Sequence, residues 1–190
     1  MIIRRFTRNP ERIEGNRIIL RKAQLSDSEV IYQRVWSDTI LASAMFWPAS
    51  TSWEEVPERM QKTIREHKKK PEFFIIEKAT DEVIGMTGIQ RESFTTYSET
   101  GIAIAKTYQG QGYGKETLQL LLDLAFGHYH AKRFAYYCMT HNTISQNLAK
   151  SFGFVHERTY MEVRPHDKKE VELYRYILER TDYIKYVKEA

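Results

Sequence analysis

Apolar and polar residues alternate along this chain in blocks that predict a mixed α/β fold. Residues 18–23 form a short apolar run that predicts a first strand. Farther along, two pairs of strand-like runs, each pair separated by turn residues, predict two hairpins. The four runs are residues 73–78, 83–90, 155–164 and 170–178. The tail from Glu179 is charged and gives no signal for a particular element.

Two segments before the first hairpin predict helices. Ser26-x-x-Glu29 is typical of a capping box that opens a helix to about residue 37. Ser52-x-x-Glu55 predicts a second helix, whose apolar residues recur at helical spacing on one face. That face contains Trp53, Val56, Met60, Ile64 and His67.

The second helix and the loop before it hold the first residues of functional interest. We expect His67 to lie at the edge of the helix face rather than to bind a ligand. The aromatic loop at residues 45–48 has no helical spacing. It either covers a small satellite core or borders a binding pocket, and the sequence leaves both open.

The middle of the chain predicts a βαβ unit. Residues 99–105 form a strand, a helix follows to about residue 129, and residues 134–139 form the next strand. A helical connection of this length implies a parallel strand pair with a right-handed crossover.

A glycine-rich loop, residues 109–114, joins the first of these strands to the helix. Exposed amides at a helix start, together with the helix dipole, form a site for phosphate. A Walker loop is excluded because Lys115 is followed by Glu116, and the G-x-G-x-G spacing does not fit a dinucleotide fingerprint. The alternative is a loop that only turns the chain.

The loop resembles the Gln/Arg-x-x-Gly-x-Gly pattern of the GNAT superfamily of N-acetyltransferases, through Gln109, Gly112 and Gly114. Farther on, Asn142-x-x-Ser145 opens a helix that ends at Gly153-Phe154, and this also resembles the family. Residues 17–21, 84–89 and 99–101 are similar to the ribosomal-protein N-terminal acetyltransferase group. The resemblance covers about residues 15–178.

This resemblance implies a central mixed, mostly antiparallel sheet with one splayed parallel strand pair, flanked by helices. It also implies that acetyl-CoA is the cosubstrate. Splaying would leave backbone amides and carbonyls of Ile102 to Ile104 unpaired toward the gap, where the pantetheine arm would dock like an added strand. The residues expected to contact it are Ile102, Ala103, Ile104, Gln109, Gln111, Gly112, Tyr113, Gly114, Lys115, Asn142 and Ser145. For Asn142 and Ser145 the alternative is helix capping.

In such a reaction a neutral amine attacks the thioester, and the thiolate leaves. The resemblance points to Glu99 as the general base, although a plain strand-end carboxylate is the alternative. Weaker candidates for the base are Glu157, His141 and His156. The tyrosine acid common in the superfamily is replaced by Ala149, so Ser145, water or solvent is left as the proton source.

The acceptor is expected to be a primary amine, and the resemblance implies that it is a protein N-terminal α-amine. An α-amine with a pKa near 7.8 is roughly a quarter neutral at pH 7.4, whereas a lysine is only about a thousandth neutral. The alternatives are a small-molecule amine (an amino sugar, polyamine or antibiotic) and a non-catalytic protein that binds CoA or nucleic acid.

Composition agrees with one domain over residues 1–190. The 190 residues carry a formal charge of +4, but the basic run at residues 67–70 suits a helix C-terminus, so nucleic-acid binding is disfavoured. Cys138, the single cysteine, is expected to pack as a small hydrophobe. Residues 1–5 lack a signal-peptide core and no run approaches membrane-spanning length. We therefore expect a cytoplasmic protein without a metal ion. A homodimer is compatible with the sequence.

Overall fold

The computed structural model describes residues 9–189, which form one eight-stranded sheet with helices on both faces. The strands, in chain order, are β1 (Arg12–Glu14), β2 (Ile18–Arg21), β3 (Glu72–Glu77), β4 (Glu82–Arg91), β5 (Thr96–Ile104), β6 (Arg133–Met139), β7 (Val155–Val163) and β8 (Glu170–Glu179). Their order across the sheet is β1-β2-β3-β4-β5-β6-β8-β7. All neighbours are antiparallel except β5 and β6, which confirms the predicted fold class.

Residues 9–189 also form six α-helices, five of them between strands and the sixth after β8. They are α1 (Ser28–Ile31), α2 (Thr39–Ser43), α3 (Val56–Lys69), α4 (Tyr113–Asp123), α5 (Thr143–Ser151) and α6 (Arg180–Glu189). A 3₁₀ turn precedes α1 and another precedes α3, while π-helical turns extend α1 to Trp36 and α4 to His128. The predicted end of the long helix near residue 129 is therefore confirmed.

For both predicted capping boxes, the hydrogen-bonding partners differ from the predicted ones. The first helical segment starts at Leu25, and the Asp27 carboxylate accepts the Gln24 backbone N–H at 2.8 Å. Before α3, Glu55 accepts hydrogen bonds from the backbone and hydroxyl of Thr51. Several short polar residues near a helix start can cap it, and the buried apolar face decides which of them is in position.

Three elements differ from the sequence predictions. The short strand β1 and the helix α2 were not anticipated, and the tail forms α6, whose Tyr183 is buried. The C-terminal hairpin forms as predicted, but β8 pairs with β6 and leaves β7 at the sheet edge. Hairpin register is a local property, whereas the choice of neighbour depends on contacts across the whole sheet.

Two apolar clusters cover the two faces of the sheet. On one face α4, α5 and α6 pack against the sheet through residues such as Leu121, Phe134 and Phe152. On the other face α1 and α3 pack through Trp36 and Met60. Cys138 is buried in the first cluster, as predicted. The sheet therefore separates two environments, and any opening between its strands connects them.

No helix within residues 9–189 is long and apolar enough to span a membrane. The expectation for residues 1–5 falls on a part of the chain outside the described residues. The single-domain interpretation, the cytoplasmic location and a homodimer stay predictions.

Candidate active site

The parallel pair β5–β6 separates after only three residue pairs. Pairing runs from Thr96–Arg133 to Ser98–Ala135, after which β5 continues to Ile104 and β6 to Met139 without a shared ladder. A bulge, at Thr100–Gly101 opposite Gly88, breaks the β4–β5 register at the same level. Gly101 has φ +113°, a conformation that favours glycine. The predicted splayed pair is therefore present.

The carboxyl group of Glu99 spans this parting. One oxygen accepts the Gly101 backbone N–H, and the other accepts the Tyr137 backbone N–H on β6 at 2.8 Å. The residue is only 6% exposed. Burial raises the pKa of Glu99 to about 7, against the lowering by the two backbone hydrogen bonds. Such a carboxyl can exchange a proton near neutral pH.

The glycine loop presents the start of α4 next to the parting. Gly110 and Gly112 have φ of +74° and +85°, and Gly112 is the residue before the first helical turn. The backbone amides of Tyr113, Gly114 and Lys115 lie in that turn, where amides have no intrahelical partner. They form the helix N-terminal donor group on which the predicted phosphate site depends, and phosphate binding there stays a prediction.

Arg17 fixes this loop from the neighbouring strand, a role that the sequence analysis missed. Its guanidinium donates to the Gln111 carbonyl at 3.0 Å and lies 4.5 Å from the centre of the Tyr113 ring. Glu116 in turn accepts the backbone N–H groups of Arg17 and Ile18, at 2.7 and 3.2 Å. These contacts join residues about 100 positions apart, so no local pattern signals them.

Two predicted cofactor contacts have intramolecular partners. The Gln109 side chain donates to the Ile104 carbonyl, and that of Gln111 donates to the Thr107 carbonyl, both at 2.8 Å. The Ile104 carbonyl is therefore paired, contrary to the expectation that it faces the gap unpaired. Gln109 ties the loop to the end of β5, which accounts for a glutamine at this position of the motif.

Asn142 and Ser145 lie at the start of α5, above the end of β6. The Asn142 side-chain oxygen accepts the Ser145 backbone N–H at 3.0 Å, as the capping alternative predicts. The Ser145 hydroxyl lies 2.8 Å from the Tyr136 hydroxyl and also hydrogen-bonds Cys138. Burial raises the pKa of the Cys138 thiol to about 11, so this cysteine is a poor nucleophile.

A cleft of about 490 Å³ opens on the α3 face of the sheet and reaches the bulge. Its floor includes Thr87, Thr100 and Gly101, and the Thr87 hydroxyl donates to the Gly101 carbonyl at 2.9 Å. Met45 and Trp47 of the aromatic loop form a wall and also contact the α3-side core. The aromatic loop therefore has both of the roles that the sequence left open.

The rim of the cleft is largely acidic. Four glutamates line it, opposed by two cationic residues; the six are Glu55, Glu58, Glu66, Glu72, Arg59 and Lys62. Arg59 is held by the Pro48 carbonyl and the Ser50 hydroxyl, at 2.9 and 2.8 Å, with its guanidinium over the Trp36 and Trp47 rings. The cation is thus used to fix the wall, and the glutamates dominate the remaining charge.

His67 is not an edge residue of α3, as the sequence predicted, but is 2% exposed in the cleft wall. Its Nδ1 accepts the Ala23 backbone N–H at 3.1 Å, and its ring packs edge-on against Phe74. Burial, with nearby Lys22, lowers the pKa of His67 to about 3. The imidazole is therefore neutral at physiological pH, and its unprotonated Nδ1 can accept the hydrogen bond from the buried Ala23 amide.

The weaker base candidates do not line this cleft. Glu157 is paired with Arg133, at 2.9 Å, and with Arg175, and His156 contacts Thr159 at 3.1 Å near the sheet edge. His141 lies in the turn before α5. Among residues 9–189, no group of three or more His, Cys, Asp or Glu side chains is placed to hold a metal ion.

The comparisons with known proteins agree with this geometry. A family model described as "Acetyltransferase (GNAT) domain" matches residues 17–155, so the chain belongs to the GNAT acetyltransferase family. It is 26% identical over 176 residues to the uncharacterized N-acetyltransferase p20 of Bacillus licheniformis, covering 91% of this chain and 98% of that protein.

Two solved structures from Vibrio cholerae share the fold. One, described as a candidate ribosomal-protein-serine acetyltransferase, is 25% identical with a TM-score of 0.76, over 90% of this chain and 99% of that one. The other is spermidine N-acetyltransferase in complex with CoA and spermine, 19% identical with a TM-score of 0.72, over 88% and 98% of the two chains. The GNAT assignment from sequence is confirmed, and the comparisons leave the acceptor open.

Proposed function

We propose that this protein transfers the acetyl group of acetyl-CoA to the α-amine of a protein N-terminus. The observation that carries this proposal is that three features of the structure meet at one place. The parting of β5 and β6, the buried Glu99 carboxyl and the cleft floor at Gly101 all meet there. An acyl donor on one face of the sheet could meet an amine from the other face through this parting.

The basicity of Glu99 favours an α-amine over a lysine-like amine. With a pKa of about 7, Glu99 would accept a proton from an α-ammonium of pKa near 7.8 at a cost of about 1 kcal/mol. The same transfer from an ε-ammonium of pKa near 10.4 would cost about 5 kcal/mol. The carboxyl therefore suits an acceptor that is already partly neutral.

Acetyl-CoA supplies an activated acyl group and a thiol leaving group, and the residues of this chain fit its parts. The first-turn amides of α4, at Tyr113, Gly114 and Lys115, would hold the pyrophosphate, because Gly112 leaves the backbone accessible. Beyond Ser98, the edge of β5 that faces β6 has no partner strand, and it would hold the pantetheine arm by added-strand hydrogen bonds. The Asn142 amide nitrogen, whose oxygen is used for capping, would serve as a further donor.

Glu99 and Ser145 would handle the protons. Glu99 is buried and bound to two backbone amides, so we assign it the base role through an intervening water. Backbone N–H groups of the parted β5 would stabilise the developing oxyanion. Ser145 would donate a hydrogen bond to the departing sulfur, the role left vacant by Ala149.

The likeness to the candidate ribosomal-protein-serine acetyltransferase supports a protein N-terminus as the acceptor. The second candidate is a small cationic amine such as a polyamine, an amino sugar or an antibiotic. It is favoured by the four glutamates on the cleft rim, which would attract a dication.

A panel assay separates these acceptors. Purified protein is incubated with acetyl-CoA and, in turn, an Ala- or Ser-initiated peptide, the same peptide with a blocked N-terminus and an internal lysine, spermidine, and an aminoglycoside. Thiol release and the added acetyl mass are both measured. We expect the free N-terminal peptides to react fastest. Faster turnover of spermidine would favour the second candidate, and acetyl-CoA binding without any transfer would indicate a non-catalytic protein.

A further inference from the structure

A tyrosine on β6 is coupled to the hydroxyl that we assign to the sulfur. The Tyr136 hydroxyl lies 2.8 Å from Ser145 Oγ, and the residue is 4% exposed. Strand alternation directs Phe134, Tyr136 and Cys138 to the same face of β6, the one covered by α4 and α5. The phenol thus reaches the first turn of α5 from the strand below it.

Ser145 and Ala149 lie one turn apart on α5 and therefore share a face. Ala149 is fully buried, so a short side chain stands where this helix faces the core. The Tyr136 phenol reaches that same helix face from β6. The adjacent residue Tyr137 donates its backbone N–H to Glu99 at 2.8 Å, which puts Tyr136 beside the parting of the strands.

Hydrogen-bond accounting indicates the direction of the Tyr136–Ser145 contact. A buried phenol needs a partner, and Ser145 Oγ is the partner that the structure gives it. Burial raises the pKa of Tyr136 well above its usual value, so the phenol keeps its proton and remains a donor. If Tyr136 donates to Ser145, the serine hydrogen is free for a second acceptor, which is the Cys138 sulfur in this structure and would be the CoA sulfur once the thioester is bound. Linked hydrogen bonds of this kind strengthen one another.

We propose that Tyr136 is a positioning residue for thiol departure, which holds the Ser145 hydroxyl so that its hydrogen points at the sulfur of CoA. This inference rests on the proposed function. As the C–N bond forms and the C–S bond breaks, the electron pair stays on sulfur and the Ser145 hydroxyl stabilises it. The proton lost by the amine nitrogen passes through Glu99 and solvent to the thiolate, so the reaction balances.

The test is a titration of the CoA thiol in the protein–CoA complex by thiolate absorbance. The complex with desulfo-CoA is subtracted to cancel the protein tyrosines. We expect the wild-type protein to lower the pKa of the bound thiol, and Tyr136→Phe to return it toward the free value by about half a pH unit or more. Tyr136→Phe should also lower kcat several-fold while CoA affinity stays within about two-fold.

Ser145→Ala should produce a similar shift, and the double variant should add little, because the two residues act as one unit. If Tyr136→Phe fails to fold, Ser145→Ala alone carries the titration. Tyr176→Phe is the matched control: Tyr176 is 3% exposed and lies directly opposite Tyr136 on β8. Its loss should leave the thiol pKa unchanged.

Two results would overturn the inference. An unchanged thiol pKa in Tyr136→Phe and Ser145→Ala, with normal CoA binding and acetyl transfer, would remove Tyr136 from the mechanism and leave the proposed function standing. Equal shifts in Tyr136→Phe and Tyr176→Phe would show a general effect of losing a buried hydroxyl. Absence of CoA binding by the wild-type protein would instead defeat the proposed function itself, and the inference with it.

Discussion

The two sides of the parted strands are built by different means. On the α4 side the binding groups that we propose are backbone amides, which follow Gly110 and Gly112 in left-handed conformations. On the α3 side the cleft is built from side chains, such as Trp47 and Glu66, brought from separate segments. A backbone site accepts one kind of ligand whatever side chains surround it, whereas a side-chain site can change its ligand with few substitutions.

This difference indicates that cofactor binding should depend on backbone geometry, whereas acceptor preference should depend on individual side chains. The amides of a helix start favour phosphate through geometry and the helix dipole. The cleft instead combines an aromatic wall, held by Arg59, with an acidic rim. Changes on the α4 side should therefore abolish cofactor binding outright, and changes on the α3 side should shift acceptor preference by smaller factors.

The largest effect is expected from Gly112→Val. Its φ is +85°, and an added Cβ would lie 3.1 Å from the Arg17 guanidinium. The side chain would also cover the amides at the start of α4. Loss of about two charge-assisted hydrogen bonds, worth about 2 kcal/mol each, should weaken acetyl-CoA binding by about 1000-fold. Isothermal calorimetry and the acetyl-CoA-induced rise in melting temperature measure this.

Gly153→Val is the matched control for backbone strain. Gly153 has φ +82°, but no heavy atom lies within 4 Å of an added Cβ. It should lower the melting temperature and keep acetyl-CoA binding. Normal acetyl-CoA affinity in Gly112→Val would contradict the assignment of the loop.

The same division decides what the sequence could predict. Gly112 and Gly153 were assignable because a left-handed backbone position favours glycine, and that requirement is local. The parallel pair followed from a helix between two apolar runs. These are properties of short segments, so one sequence is enough to find them.

The remaining features depend on distant residues. The Arg17–Glu116 anchor, the Tyr136–Ser145 contact and the insertion of β8 between β6 and β7 join segments that no spacing rule relates. The prediction for His67 was wrong because helix periodicity carries no information about a neighbouring loop. The Ala23 N–H, from which His67 accepts a hydrogen bond, lies in that loop. Side-chain clusters are thus the part of the site that needs the structure.

Glu99→Gln tests the link between the two sides. It removes the base, so kcat should fall about 100-fold, with acetyl-CoA affinity nearly intact. In the wild type the acidic limb of the kcat profile should have an apparent pKa near 7, the value of Glu99. That limb reflects the need for an ionised carboxylate, so activity is lost as pH falls below 7. In the variant the limb should move upward to follow the pKa of the acceptor amine.

This variant also changes a structural contact. Glutamine has one acceptor oxygen, while Glu99 accepts two backbone N–H groups. One of these two hydrogen bonds, either the bond from Gly101 within β5 or the bond from Tyr137 across the parting, is therefore lost. Reduced acetyl-CoA affinity in Glu99→Gln would show that the carboxyl mainly supports the strands. Equal kcat values for wild type and variant between about pH 6 and 9 would remove Glu99 from the mechanism.

The α3 side should respond to acid through His67. Its pKa is about 3 when folded and about 6.5 in the unfolded chain. Stability is full above pH 6.5 and is lost as pH falls, because only the unfolded state then takes up the proton. At pH 5 the loss should be about 2 kcal/mol. Urea unfolding at pH 7 and pH 5 measures it.

His67→Gln should remove this part of the pH dependence, at a cost in stability at pH 7. The exposed His156 provides the matched control, since His156→Gln should retain the full acid loss. A His67→Gln profile parallel to wild type between pH 7 and 5 would assign the acid sensitivity to other groups.

The smallest effect is expected at the cleft rim. On α3, Glu58 is exposed and Glu66 is half-buried, and both line the cleft. Charges in contact with solvent contribute about 1 kcal/mol or less. The double variant Glu58→Gln/Glu66→Gln should raise KM for spermidine about five-fold, which is about 1 kcal/mol. KM for an Ala-initiated peptide should change less than about two-fold, because that acceptor carries one charge at the reacting end. Added salt should reduce the difference.

Glu162→Gln, an exposed substitution on β7 outside the cleft lining, is the control. Equal changes in KM for both acceptors would show that the rim does not select by charge, and the polyamine alternative would lose the observation that favours it.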